Sequence, residues 1–204
     1  MIIYRETGVV KSITKHVRDI TEIIVEVAGK DYPAINFDKM TGSISPGDTV
    51  LLNTTALRLH LGTGGCHFVM ANLASGNKEA EEGASGHIMK LRYTPSQIKV
   101  LSVEEQDSPY HELMSRTTSL EGTPVVCCSL HSMLPAAAAA VAAFDKHLKA
   151  AYVMTDGAAL PLGFSKMVSL LAGEGLICGT VTVGHAFGGD IEAVSLFSGL
   201  LAAK

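Results

Sequence analysis

Four residues of this chain could share acid–base work or hold a cation: His131, Asp156, His185 and Asp190. Each lies in the turn after an apolar run that reads as a strand, at residues 125–130, 150–155 and 176–183. Neutral imidazoles beside carboxylates can ligate a divalent metal or pass a proton. The ends of parallel strands are where α/β proteins gather such groups. Gly157, Gly188 and Gly189 lie in the same turns and are the candidates for cofactor contact, with no cofactor class singled out. No tight metal-ligand spacing is present, so the metal stays unidentified. Each residue also has a plain structural use: Ser132 and Asp190 read as helix N-caps, and His131 and Asp156-Gly157 fit turns. Convergence of three loops on one sheet edge keeps the chemical reading alive.

Other chemistries fit less well. Between Gly184 and Gly189 the two glycines match the spacing of a nucleotide-phosphate loop, but Asp190 stands at the lysine position and Ile191 at the hydroxyl. A carboxylate there competes with phosphate for a helix N-terminus, which argues against ATP or GTP hydrolysis and better suits a cation or a sugar-like hydroxyl ligand. Gly62-Thr63-Gly64-Gly65 opens a strand rather than a helix, so it reads as a hinge or tight turn and not as a dinucleotide fingerprint. Gly163-Phe164-Ser165-Lys166-Met167 lacks the second glycine of a nucleophile elbow and follows no strand. Cys127 and Cys128 fall inside an apolar run and read as buried, inert thiols. Lys90 and Arg92 could face an anion, yet they read as a solvated strand face.

The elements that must position these groups change character along the chain. Residues 1–104 read as β: short β-branched runs at 8–13, 20–27, 32–37 and 49–53, with Ser45-Pro46-Gly47-Asp48 as a strong turn, suggest a small antiparallel barrel or sandwich. Residues 74–86 are small, polar and acidic and read as an exposed loop. Residues 105–123 form a polar linker with a short helix that begins near Ser108-Pro109. From residue 124 to residue 204 the pattern is β-α-β-α-β-α. Its strands are at 125–130, 150–155 and 176–183, and its helices end near 148, end near 172 and begin after Asp190. Right-handed crossovers put all three strand ends on one edge. The fold class is thus α+β in two domains, the second a Rossmann-like three-layer unit with a short parallel sheet. Its helices are apolar nearly all round and its sheet has open edges. We therefore expect completion by another subunit in a homo-oligomer, or by chain beyond this one.

The 204 residues carry a formal net charge of -4 and no tryptophan, which argues against a nucleic-acid partner. Only nine of the 16 basic and 20 acidic residues lie beyond Pro124. The most apolar stretch, 133–144, is too short for a membrane span and contains Pro135, and the N-terminus is not a signal peptide. The four cysteines include no CxxC pair, as in a reduced cytoplasmic protein.

Taken in order, Gly62-Thr63-Gly64-Gly65, the stretch from Gly86 to Pro95, Ser129-Leu130-His131-Ser132, Tyr152 to Gly157 and Thr180 to Asp190 resemble an uncharacterised bacterial family, a domain of unknown function found in Gram-positive lineages. The resemblance spans nearly the whole chain. It implies no activity. It does imply longer members, of which this chain would be the N-terminal part. The expectation is a protein of unknown function that binds a small polar ligand or divalent metal at the C-terminal edge of its parallel sheet, in the manner of an enzyme. The alternative is a non-catalytic oligomerisation or scaffold module.

Overall fold

The computed structural model describes residues 2–61, 65–74, 85–158 and 161–204. The glycine motif at 62–64 and most of the acidic loop, 75–84, lie outside the described residues. By contacts the chain divides into two compact units, Met1–Glu82 and Gly83–Lys204.

The first unit is a closed barrel of β1 (Arg5–Val17), β2 (Ile20–Val27), β3 (Lys30–Phe37), β4 (Thr49–Asn53) and β5 (His67–Asn72), in the order β1-β2-β3-β5-β4. Short helices α1 (Asp38–Thr41) and α2 (Thr55–Arg58) flank β4. Strand alternation sets the inside: Val10, Ile23, Val25, Val50, Leu52 and Val69 form the core, while Glu22, Ile24 and Glu26 take the opposite face of β2. Register shifts in β1 after Val10 and Ile13 bend this long strand, as closure requires. The barrel is not wholly antiparallel, because β3 and β5 run parallel, with Ala34 opposite His67.

The second unit begins with the hairpin β6 (Ile88–Lys90) and β7 (Ile98–Val100), followed by α3 (His111–Arg116). Next come α4 (Leu134–Phe144), β8 (Ala151–Met154), α5 (Lys166–Gly173), β9 (Gly179–Val183), β10 (Ile191–Ala193) and α6 (Leu196–Ala203). The parallel sheet has the order β10-β9-β8. On one face Met154 packs with Leu134 and Ala138 of α4 and with Val168 and Leu171 of α5. On the other, Val181, Val183 and Ala193 pack with Ala202 and Ala203 of α6. Gly199 allows that approach, since a Cβ there would stand 2.4 Å from Val183 Cγ2.

Three expectations for this unit are corrected. Residues 125–130 are not a strand; they run without backbone pairing and are exposed throughout, so Cys127 and Cys128 are exposed rather than buried. The strand at the other side of the sheet is β10, formed where a helix after Asp190 was expected. Asp190 does not cap: its carboxylate takes the Thr180 amide and hydroxyl at 3.0 and 2.7 Å, which ties the start of β10 to the start of β9. Helix α6 is instead capped by Ser195, whose Oγ accepts the Ser198 amide at 3.1 Å. Likewise Ser132 caps nothing. It sits in a 3-10 turn, His131–Met133, that leads into α4. The cap of α5 is Ser165, with Oγ accepting the Val168 amide at 3.2 Å.

The two edges of the sheet differ. Beyond β10, Ser102 bridges Glu192, and the Val103 amide donates to the Glu192 carbonyl at 2.9 Å, so that edge is covered. Beyond β8 no strand follows among the described residues.

Candidate functional site

Along the open edge of β8 lies a cavity of about 560 Å³. Its walls are β8 itself, the extended residues 124–130, the Leu134–Val141 flank of α4, and Leu196 and Leu200 of α6. The lining is mainly apolar, with His131, Tyr152 and Thr155 among its polar members. Volume and character fall within the range of small-molecule sites.

At the polar side, the His131 imidazole stands between two hydroxyls. Its Nδ1 is 2.8 Å from Tyr152 Oη and its Nε2 is 2.8 Å from Ser165 Oγ. Local structure dictates the placement: His131 begins the turn into α4, Tyr152 is the second residue of β8, and Ser165 is held by its capping bond. Burial lowers the His131 pKa from its ordinary value, so the ring is neutral near pH 7. Burial first, and a charge interaction with nearby Cys128 second, raise that of Tyr152, so the phenol keeps its proton. A neutral ring donates from one nitrogen and accepts at the other. If Tyr152 donates to Nδ1, Nε2–H donates to Ser165; if Ser165 donates to Nε2, Nδ1–H donates to Tyr152. The three groups reverse as a unit, leaving Tyr152 able either to accept from a ligand or to donate its proton to one.

The four expected site residues do not share one pocket. Asp156 is a latch on the turn after β9: its Oδ1 accepts the amides of His185 and Ala186, the latter at 3.0 Å. Gly184 permits this, with φ at 68° and a notional Cβ 2.7 Å from both carboxylate oxygens. His185 meets Asp156 through its backbone, while its Nδ1 accepts the Leu91 amide at 3.0 Å. Asp190 binds Thr180 at the beginning of β9, a strand's length from the turn that Asp156 holds. Only His131 reaches the cavity as a side chain with hydrogen-bonding partners there. No group of three metal-binding side chains occurs among the described residues. Among the candidate glycines, Gly157 lines the cavity. Gly188 donates its amide to Glu192 Oε1 at 2.8 Å and Gly189 to Thr182 Oγ1 at 3.1 Å, so both serve the loop between β9 and β10.

Tyr152 and Ser165 were not singled out from sequence. One signal was available: a tyrosine in a four-residue strand otherwise made of alanine, valine and methionine puts a phenol where only burial is wanted. Lys90 was read as solvated and is instead fully buried.

The family described as Protein of unknown function (DUF3866) matches residues 33–204. No curated protein and no solved structure matches the chain. With the match running from within β3 to the last residue of α6 and beyond, the chain belongs to this family.

Proposed function

We propose that the second unit binds a small, largely apolar molecule carrying one hydrogen-bonding group, with its body along β8 and that group at Tyr152 and His131. The observation that carries this is the coincidence of an apolar cavity of about 560 Å³ with a reversible hydroxyl–imidazole–hydroxyl chain in its wall. A neutral His131 backed by Ser165 can also move a proton to or from a bound ligand through Tyr152, the acid–base role expected of His131. A divalent metal finds less support, because Asp156, His185 and Asp190 are each committed to backbone or hydroxyl partners elsewhere.

The test uses anilinonaphthalene sulfonate, whose fluorescence rises in apolar sites. Stoichiometric binding is expected, and Ala137→Phe, which places a ring inside the cavity, should abolish it. Tyr152→Phe and His131→Leu should each weaken binding by about fivefold, one hydrogen bond's worth. Equal dye binding by the wild type and Ala137→Phe would sink the reading.

A second reading, assembly through apolar surfaces, is favoured by Phe144 at 87% exposure and Leu170 at 62%. A light-scattering mass well above 21.4 kDa at micromolar concentration supports it, and a clean monomer removes it.

A further inference from the structure

Residues 125–130 combine a strand-forming sequence with a conformation that satisfies none of its demands. Val125-Val126-Cys127-Cys128-Ser129-Leu130 is β-rich and nearly all apolar, yet Val126 is 67% exposed and Leu130 63%. No backbone hydrogen bond of residues 125–129 occurs among the described residues. On the opposite wall of the same cavity, β8 presents an unpaired edge, while the far edge of the sheet is closed by Ser102 and Val103. Two unpaired backbones thus line one apolar cavity, together with side chains of α4 and α6. The connection from residue 130 to β8 contains α4, which is the helical crossover that joins two parallel neighbours.

We infer that residues 125–130 are a strap that pairs with β8 as a fourth parallel strand, closing the cavity, and that the structure shows it in the open position. Paired, the strap buries its apolar side chains between α4 and α6 and satisfies both backbones; open, it exposes the ligand site. Ligand and strap therefore compete for the same edge of β8. The gating half of this statement rests on the cavity being a ligand site; the pairing half does not.

The chain carries its own reporters. Cys127 and Cys128 are exposed while the strap is open, and Cys178 is exposed elsewhere in the same protein. Neighbouring residues of a strand point to opposite faces, so pairing buries one thiol against each helical layer. In ligand-free wild type, iodoacetamide should alkylate Cys127 and Cys128 more slowly than Cys178, by about tenfold for a strap that is mostly closed. Val126→Pro removes a ladder amide that has no partner in the open state. It should bring the two rates level with that of Cys178 and strengthen binding of anilinonaphthalene sulfonate. A second measurement does not depend on the variant: amides 126–129 of the wild type should be protected from hydrogen exchange. Fast alkylation of Cys127 and Cys128 in the wild type, with unprotected amides, overturns the strap whatever the dye does. Val126→Pro releasing the thiols without any dye binding upholds the strap and overturns the ligand site.

Discussion

Lys90 Nζ lies 2.6 Å from Glu192 Oε2, and the lysine side chain is only 1% exposed. The ammonium is fully used: it also donates to the carbonyls of Thr182 at 3.0 Å and Ala186 at 2.6 Å. Glu192 in turn takes the Thr182 hydroxyl at 2.6 Å and the Gly188 amide. This pair explains how a seven-residue link, 184–190, can return the chain for a parallel strand, a task that more commonly takes a dozen residues or more. The charge of Lys90 gathers the Ala186 carbonyl of the loop and the glutamate of the strand it leads to.

Lys90→Met should therefore be among the most damaging single changes in the second unit. It strands the Glu192 carboxylate in a largely buried setting, at a cost of about 3–5 kcal/mol. Chemical denaturation reads this directly, and a loss under about 1 kcal/mol would mean the pair is incidental. Adding Glu192→Gln to Lys90→Met should recover part of the loss, because the charge left without a partner is then gone.

The latch between Asp156 and the turn at Gly184 makes a different prediction. Gly184→Ala meets two penalties at once: a φ of 68° and a Cβ 2.7 Å from the carboxylate oxygens. Asp156→Ala removes the acceptor of two amides, for about 1–3 kcal/mol. Combining Gly184→Ala with Asp156→Ala should cost less than the sum, since the clash vanishes with the carboxylate. Strict additivity would show that the contact is not what makes Gly184 necessary. Metal content should be unchanged in either variant.

Much of this architecture is legible in the sequence. Short β-branched runs marked β2, β3 and β4, and the strand expected at 176–183 contains β9. The misreadings share a cause, a local signal overruled by a distant partner. Asp190 looks like an N-cap because nothing nearby shows that Thr180, ten residues back, will claim it. Lys90 looks solvated because its acceptors lie about a hundred residues downstream. Residues 125–130 have the pattern of a buried strand, yet they run unpaired and exposed. His131 stands out in the sequence and its hydrogen-bond partners do not, since Tyr152 and Ser165 reach it only through the fold.

Acid should weaken the barrel through His67. This side chain is buried, its Nδ1 has no partner, and Tyr32 stands against it at 5.1 Å between ring centroids. Burial lowers its pKa from the ordinary value, with the Glu6 carboxylate pulling the other way. The unfolded chain then binds a proton where the folded chain does not, so this contribution is complete above about pH 6.5 and is lost as pH falls below it. His67→Phe should remove that part of the pH dependence and cost little at pH 7, because the partnerless nitrogen goes too. His131 is shifted the same way, so some acid sensitivity must remain in His67→Phe. An unchanged stability–pH curve would refute the assignment to His67.

Ser165 serves two masters, the amide of Val168 and the imidazole of His131, and one substitution can tell them apart. Ser165→Ala deletes both bonds. Loss of the cap alone predicts about 1 kcal/mol of destabilisation and no effect on the cavity. Loss of the relay predicts more, because Nε2 of His131 keeps no partner and the ring is free to choose its tautomer from Tyr152 alone. Tyr152 then donates to Nδ1 only when Nε2 carries the proton, and that N–H has nowhere to go, so the balance swings to Nδ1–H donating to the phenol. Nitrogen chemical shifts of His131 should move from an averaged pair in the wild type toward one protonated Nδ1 in Ser165→Ala. Ligands that need an acceptor at Tyr152 should weaken, while those that accept its proton should hold or gain. A Ser165→Ala protein with wild-type imidazole shifts would reduce Ser165 to a helix cap and leave the polar pole to Tyr152 and His131 alone.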